Sequence, residues 1–284
     1  LIPESLTAEL HQKLTRQRIS VSWEIDEPKD TKSAARLLLD SAATRKLLVV
    51  NTRREASEIF EEIVATAEAG SQFHLSTNLC AAHRREKLSE IKSRLESKLP
   101  CTVVSTQLIE CGVDHSYERV IRALAGMDSL AQSAGRCNRH GELPQGGEFV
   151  VYESEKALLG FLGNCASITR VVLGESPPDH LADLNLYDEY FRHLYQAGAS
   201  RDISSVLAAY EERNLEDVAT RYKLIEDRKP YTVVIPWGEE GAERLETVLH
   251  ILSTGQKLSR GHLRALQPYT VSLSRRDFET VKPF

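Results

Sequence analysis

Two short segments in the middle of the chain carry residue types that suit phosphate chemistry. They are Ser105–Asp114, with the sequence STQLIECGVD, and Gln132–Arg139, with the sequence QSAGRCNR. Arg136 and Arg139 are spaced i and i+3, which predicts that they share one side of a helix. Guanidinium groups stay ionised and bind phosphoryl oxygens in pairs. The two arginines are therefore candidate catalytic residues for phosphoryl transfer.

Further residues of the same segments are candidates for contact with a nucleotide. Gln132 offers an amide for hydrogen bonds, and Gly135 would let a helix approach a neighbouring domain closely. Gly112 allows the backbone to come near a ligand. Asp114 could accept hydrogen bonds from a ribose or pair with the arginines, while Glu110 could instead bridge to local backbone or to an arginine. The structural alternative is that the arginines pair only with surface carboxylates.

Polar side chains follow the carboxyl ends of three predicted strands, and an open parallel sheet gathers its ligands at such ends. Hydroxyl and amide groups suit the phosphates of a nucleic-acid strand without adding charge. Together with an arginine in a following helix, the candidate nucleic-acid contacts are Asn51, Thr52, Ser76, Arg84, Ser105 and Thr106. Some of these have a structural alternative, because Ser105 and Thr106 could cap a strand end and Thr52 could cap a helix.

Composition and absent motifs limit what the chain can do by itself. It has 284 residues and a formal charge of −5, so no overall basic field favours nonspecific coating of nucleic acid. No G-x-x-x-x-G-K-[ST] phosphate loop and no D-E-x-H or D-E-x-D box occurs, so half of an ATPase site is missing. Together with Leu1 as the first residue, this suggests part of a larger protein. The five cysteines show no ligand spacing and no apolar run could span a bilayer, so neither a metal site nor a membrane partner is expected.

Strands and helices alternate in the first part of the chain. Apolar patterns predict strands at Ile19–Ile25, Lys46–Asn51, Gln72–Thr77, Cys101–Thr106, Glu118–Ala123 and Glu148–Tyr152. Helical spacing of apolar residues predicts helices at Ala34–Ala43, Arg54–Ala69 and His83–Leu99. Repeated strand–helix units of this kind predict an α/β fold, with a mostly parallel sheet covered by helices on both faces.

The pattern changes after about residue 153, and a turn-rich break follows at Gly174–Asp179. Beyond it we predict helices at Leu181–Ala197, Ser204–Ala219 and Ala242–Leu252, and strands at Tyr231–Ile235 and Tyr269–Ser274. These elements predict three parts: an α/β domain over 1–160, a helical linker over 161–222, and a smaller α+β accessory domain over 223–284.

The chemistry-bearing segments are similar to those of a known family. Ser105–Asp114 and Gln132–Arg139 resemble motifs V and VI of superfamily 2 helicases. The form QLIECGVD followed by MDSLAQ is similar to the helicase part of the type I CRISPR-associated helicase–nuclease family. Asn51–Arg53 resembles the motif IV of this family, and Leu75–Thr77 followed by His83–Arg85 resembles another of its segments.

The resemblance implies a second RecA-like domain followed by a terminal domain. ATP and Mg²⁺ would bind between this domain and a first RecA-like domain outside the chain, which would supply the phosphate-loop lysine and the Walker B carboxylates. Arg136 and Arg139 would act as arginine fingers, and Thr106 would contact the DNA strand that the motor follows. The isolated chain is expected to have no ATPase activity, because one side of the nucleotide site is absent.

The same resemblance implies partners and a place in the cell. The expected partners are single-stranded DNA, the first RecA-like and nuclease domains of a parent protein, and an RNA-guided CRISPR surveillance complex in antiviral defence. The expected location is cytoplasmic. Two alternatives stay open: another superfamily 2 helicase acting on DNA or RNA, and a nucleic-acid-binding adaptor with an incomplete ATPase site.

Overall fold

The computed structural model describes residues 18–66, 70–110, 112–198, 205–222 and 231–281. Six parallel strands form the main sheet: β1 (Ile19–Lys29), β2 (Arg45–Val49), β3 (Gln72–Leu75), β4 (Cys101–Ser105), β5 (Arg119–Ala123) and β6 (Gly147–Ser154). Their order across the sheet is β1-β6-β5-β2-β4-β3, and each neighbouring pair is parallel. The predicted α/β fold with a mostly parallel sheet is confirmed.

Helices cover both faces of the sheet because its central strands are apolar on both sides. Leu48 of β2 faces one core cluster, which also holds Leu38 and Ile59 of the helices α1 (Thr31–Leu39) and α2 (Arg53–Thr66). Leu47 faces the opposite cluster. That side is covered by α3 (Ala81–Glu96), α4 (Met127–Ala134), α5 (Gly160–Leu173) and α6 (Leu184–Gly198). Asp30 caps α1 by accepting a hydrogen bond from the Ser33 amide at 2.7 Å.

The residues after the main sheet form further helices and one small sheet. The remaining elements are α7 (Val206–Glu211), α8 (Leu215–Arg221), β7 (Tyr231–Val234), α9 (Gly238–Ser253), α10 (Arg260–Leu266), β8 (Thr270–Leu273) and α11 (Arg275–Val281). Strands β7 and β8 pair antiparallel. No helix within the described ranges is long and apolar enough to cross a membrane.

Two predictions of local structure were wrong. The single helix predicted over Ser204–Ala219 is two helices, because Arg213 adopts a left-handed φ of 57° and the Asn214 side chain caps the second helix. Ser204 itself lies outside the described residues. The individual helices α5, α10 and α11 were not predicted, although α5 lies in the part over 161–222 that was expected to be helical. In α5 the run GFLGNCASITRVVL places apolar residues on several sides, so no single stripe marks a helix.

Candidate functional site

The carboxyl ends of β2, β4 and β3 lie side by side, because these strands are parallel neighbours in the sheet. This edge, called the carboxyl edge below, therefore collects Asn51, Ser76 and Thr106, which follow the three strands. The sequence predicted this gathering. Whether these residues touch a nucleic acid stays a prediction.

Two hydroxyl groups at the carboxyl edge are engaged within the protein. The Ser105 side chain is fully buried, and its hydroxyl lies 3.1 Å from the carbonyl oxygen of Leu75 and 3.0 Å from that of Thr106. Ser76 is also fully buried, and its hydroxyl accepts a hydrogen bond from the Asn78 amide at 3.3 Å. Either hydroxyl would have to leave its present surroundings to bind a phosphate. The structure therefore agrees with the alternative in which Ser105 caps the end of a strand.

Thr52 and Thr106 differ in how their side chains are used. Thr52 caps α2, since its hydroxyl accepts a hydrogen bond from the Glu55 amide at 3.2 Å. Thr106 precedes a short 3-10 turn at Gln107–Ile109 and makes no capping hydrogen bond with its side chain. The helix-cap interpretation of Thr52 is therefore confirmed, which leaves its contact with DNA as a separate prediction.

A group of buried polar side chains supports the carboxyl edge from inside. Its centre is Arg122 of β5, whose side chain is wholly buried. Arg122 donates to the Glu110 carboxylate at 3.0 Å and to the side-chain oxygen of Asn51 at 2.8 Å. Glu110 also accepts hydrogen bonds from Ser133 at 3.1 Å and from Ser129 at 3.2 Å. These five residues are called the buried polar cluster below.

Electrostatics in this cluster follow from burial. Removal from water raises the pKa of Glu110, and the adjacent Arg122 charge opposes that effect. Burial likewise lowers the pKa of Arg122, which the Glu110 charge opposes. The predicted contact of Glu110 with an arginine is confirmed, although the sequence did not identify Arg122 as the partner. The available signal was a cation between Ile121 and Ala123, inside a strand predicted to be buried.

The two candidate catalytic arginines lie beyond the helix that was expected to carry them. Helix α4 ends at Ala134, so the prediction that Arg136 and Arg139 share one side of a helix is wrong. The chain leaves the helix because residue 137 forms a β-bridge with Tyr117, and the Tyr117 amide donates to the carbonyl of Arg136 at 2.9 Å. Residues 135–140 are called the arginine turn below.

Arg136 and Arg139 have opposite surroundings in the arginine turn. Arg136 is buried, and its guanidinium donates to the carbonyl oxygens of Ile109 at 3.0 Å and Glu110 at 2.5 Å. The Arg139 side chain is 39% exposed and pairs with Asp114, with 2.8 Å between Nε and Oδ1. This hydrogen bond holds the pKa of Asp114 below its usual value. The predicted pairing of Asp114 with an arginine is confirmed for Arg139.

The other candidate nucleotide contacts surround the same turn. Gly112 adopts a left-handed φ of 73°, which favours glycine at that position. Gln132 is exposed near the end of α4. Gly135 caps the helix, and a Cβ there would lie 3.2 Å from the carbonyl oxygen of Gln132. The close packing at Gly135 is therefore with its own helix, and its predicted approach to another domain stays a prediction.

Arg84 lies on α3, where the terminal elements contact the main domain. The neighbouring His83 ring stacks on Trp237, with 3.4 Å between ring centroids, and the Trp237 indole donates to Glu86 at 2.9 Å. Trp237 therefore packs against α3. Tyr269 is buried. Arg84 itself is half-buried, and its predicted contact with phosphate stays a prediction.

Comparison with known proteins connects this geometry to a family. Residues 42–142 match the family model described as "CRISPR-associated nuclease/helicase Cas3, C-terminal". This region contains both the carboxyl edge and the arginine turn. Residues 42–142 are therefore similar to the C-terminal domain of Cas3. This match confirms the resemblance predicted from the helicase motifs.

Individual Cas3 proteins support the same assignment. The chain is 33% identical over 148 residues to the CRISPR-associated nuclease/helicase Cas3 of Haloferax volcanii, covering 50% of the chain and 14% of that protein. It is 24% identical over 199 residues to Cas3 of Methanothermobacter thermautotrophicus, covering 68% of the chain and 23% of that protein. The chain therefore spans well under two thirds of these Cas3 relatives.

The fold is also similar to that of solved Cas3 structures. A T. fusca Cas3–ADP crystal structure matches with a TM-score of 0.58 at 16% identity, covering 93% of the chain and 37% of that protein. A T. fusca Cas3–AMPPNP structure matches with a TM-score of 0.57, covering 94% and 37%. At this identity the likeness establishes a shared fold, which is the RecA-like fold that the motifs implied.

Proposed function

We propose that the chain is the second RecA-like part of an ATP-dependent motor that moves along single-stranded DNA in CRISPR interference. The observation that carries the proposal is the exposed Arg139–Asp114 pair, which lies within the Cas3-like domain. A guanidinium held at the surface by one carboxylate can turn to a phosphoryl group on a neighbouring domain, where its charge stabilises phosphoryl transfer.

The two arginines have different parts in this proposal. Arg139 is the finger that reaches the nucleotide, because its side chain is exposed and its partner Asp114 is in contact with solvent. The Arg136 guanidinium donates hydrogen bonds to the carbonyl oxygens of Ile109 and Glu110, so it holds in place the loop beside Arg139. Each hydrogen bond from a charged donor contributes about 1.5–3 kcal/mol, which makes this role of Arg136 hard to exchange for contact with a ligand.

ATP would bind between this domain and a first RecA-like domain. Gln132, Gly135, Gly112 and Asp114 would lie on the nucleotide side together with Arg139. Among the described residues, no group of three His, Cys, Asp or Glu side chains could hold a metal ion. The carboxylates for Mg²⁺ would belong to the first RecA-like domain, and the isolated chain would not hydrolyse ATP.

Single-stranded DNA would lie along the carboxyl edge. Asn51 and Thr106 would contribute from the ends of neighbouring strands, Arg84 from α3, and Thr52 through the amino end of α2. Movement of this edge as the two RecA-like domains close and open would carry the strand. The Cas3 relationship supports recruitment by an RNA-guided CRISPR surveillance complex in the cytoplasm.

The proposal is tested by DNA-stimulated ATP hydrolysis after the first RecA-like domain is supplied. We expect Arg139→Ala to lower turnover by roughly 10³–10⁵, the range measured for arginine fingers. Arg139→Lys should recover little, because an ammonium group lacks the planar fork. Arg260→Ala, at an exposed arginine of α10, is the matched control and should leave turnover unchanged. Equal turnover in Arg139→Ala and the native protein would contradict the finger role.

The same experiment distinguishes the DNA motor from the two alternative functions. If the assembled native protein binds single-stranded DNA but hydrolyses no ATP, the chain is an adaptor. If RNA stimulates hydrolysis as strongly as DNA, the assignment to a DNA motor is wrong, although the ATPase assignment remains.

A further inference from the structure

Arg122 is the least expected charge in the molecule. It lies in the middle of the parallel sheet, is wholly buried, and donates to a carboxylate, a side-chain amide oxygen and the Ala123 carbonyl at 3.2 Å. An apolar pair of similar volume would usually serve the stability of such a core equally well or better. The buried polar cluster therefore calls for an explanation other than stability.

The contacts of Arg122 lead to the carboxyl edge on one side. Its guanidinium holds the side-chain oxygen of Asn51, and the Asn51 amide donates to the carbonyl of Leu124 at 2.9 Å. These two hydrogen bonds fix the orientation of the Asn51 amide and tie the end of β2 to the end of β5. Both polar atoms of the buried Asn51 side chain are therefore held inside the protein.

On its other side, Arg122 is connected to the arginine turn through Glu110. Glu110, the carboxylate partner of Arg122, accepts hydrogen bonds from Ser129 and Ser133 of α4, the helix that ends at the arginine turn. The main-chain carbonyl of Glu110 accepts from Arg136. One residue thus receives donors from β5, from α4 and from the turn itself.

We propose that Arg122 is a positioning residue that couples the carboxyl edge to the arginine turn through Glu110. Occupation of the edge by single-stranded DNA shifts Asn51 and the 107–110 turn, and the ion pair passes that shift to α4 and to Arg139. The coupling rests on the proposed function, because it needs a strand at the edge and a finger at the turn. The coupling requires only that the buried polar cluster can adopt two distinct arrangements.

The test uses a variant that should break the coupling without leaving a buried charge unpaired. Ser129→Ala with Ser133→Ala removes two donors from Glu110 but keeps its ion pair with Arg122. The matched control is Ser167→Ala with Thr247→Ala, which removes two hydroxyls that donate to carbonyls of their own helices. Both double variants are made in the full chain, and their unfolding is measured first to establish that they are folded.

The first measurement is amide hydrogen exchange in the absence of DNA. The Thr106 amide donates to the Leu75 carbonyl at 3.2 Å and so reports on the carboxyl edge. We expect the Ser129/Ser133 variant to exchange this amide about tenfold faster, since the edge loses support from α4. The control should show the native rate. Faster exchange confined to α4 would overturn the coupling.

The second measurement adds oligo(dT) to the same proteins, with binding followed by fluorescence anisotropy. The Asn138 amide donates to the Tyr117 carbonyl at 2.8 Å and reports on the arginine turn. In the native chain and the control, binding should change the exchange rate of this amide. The Ser129/Ser133 variant should bind oligo(dT) and show no such change, whereas a change of native size would overturn the proposal.

The outcomes separate failure of the coupling from failure of the proposed function. Binding of oligo(dT) by the native chain with no response at Asn138 contradicts the coupling alone. Absence of binding contradicts the DNA-motor function, and the exchange of Thr106 without DNA then still decides whether the cluster links the two regions.

Discussion

The Arg122–Glu110 and Arg139–Asp114 pairs join the same chemical groups in opposite surroundings. The first has 3.0 Å between Nε and the carboxylate and is almost completely buried. The second has 2.8 Å between the equivalent atoms, and its carboxylate is 70% exposed. Distance therefore says little about what each pair does. If the buried pair loses one partner, the other is left as an unpaired charge away from water. The exposed pair can open, because water replaces either partner.

The largest expected effect comes from breaking the buried pair. Arg122→Met should lower the free energy of unfolding by about 3–5 kcal/mol, because Glu110 keeps a buried carboxylate without its cation. Urea denaturation measures the change, and Arg260→Met at an exposed position is the control. The double variant Arg122→Met with Glu110→Met should recover most of the loss, since an apolar pair replaces the ions. An equal loss in the single and double variants would show that the charge of Glu110 is not the cause.

The pH dependence of Arg122→Met sharpens the same point. Burial raises the pKa of Glu110, and removal of the Arg122 charge that opposes this effect raises it further. The folded variant then binds this proton more tightly than the unfolded chain, in which the pKa of Glu is about 4.3. The contribution of Glu110 to the stability of the variant is therefore most favourable below the unfolded pKa and is lost as the pH rises through the folded pKa. The deficit relative to the native protein should be smaller near pH 5 than near pH 8, and a deficit independent of pH would contradict the assignment.

Thr52→Ala is a smaller change at the carboxyl edge. It removes the cap of α2, so the free energy of unfolding should fall by about 1 kcal/mol. Thr52→Ser keeps the capping oxygen and should be close to native. If Thr52→Ala also weakens oligo(dT) binding while Thr52→Ser does not, the hydroxyl or the helix end that it organises contributes to the edge. Equal binding in both would limit Thr52 to folding.

The two ion pairs also differ in how well they could be predicted from the sequence. The apolar runs of β2 and β4 specify a sheet buried on both faces, and the polar residues after them predict which edge they share. The pairing of Asp114 with an arginine was one of the two alternatives predicted for that residue. Neither pattern identifies Arg122, because its partner is twelve residues earlier in the chain and the two meet only after β5 has joined the sheet.

The helix expected at Arg136 and Arg139 failed for a related reason. Spacing of i and i+3 is equally compatible with a helix and with the turn that follows one. What decides is the β-bridge between Tyr117 and Cys137, a tertiary contact that no local pattern reports. The same contact buries Arg136 and leaves Arg139 exposed, so residues that look equivalent in the motif acquire different roles from the fold.

The smallest expected effect on stability comes from breaking the exposed pair. Asp114→Asn keeps an oxygen acceptor for Arg139 but removes the charge. The hydrogen bond from Arg139 lowers the pKa of Asp114, so any contribution of the carboxylate is present above the unfolded pKa of about 3.9 and is lost as the pH falls through the folded value. Because solvent screens this pair, the urea midpoint near pH 7 should not change measurably.

The control for Asp114→Asn is Asp217→Asn, which breaks another exposed pair at 2.8 Å, with Arg221 on α8. Neither variant should unfold more readily than the native chain. In the assembled motor, only Asp114→Asn should lower kcat for ATP hydrolysis, because Arg139 loses the group that orients it toward the transferred phosphoryl group. A large fall in the urea midpoint for Asp114→Asn would mean that this pair also holds the fold together, and the contrast between the two pairs would then be wrong.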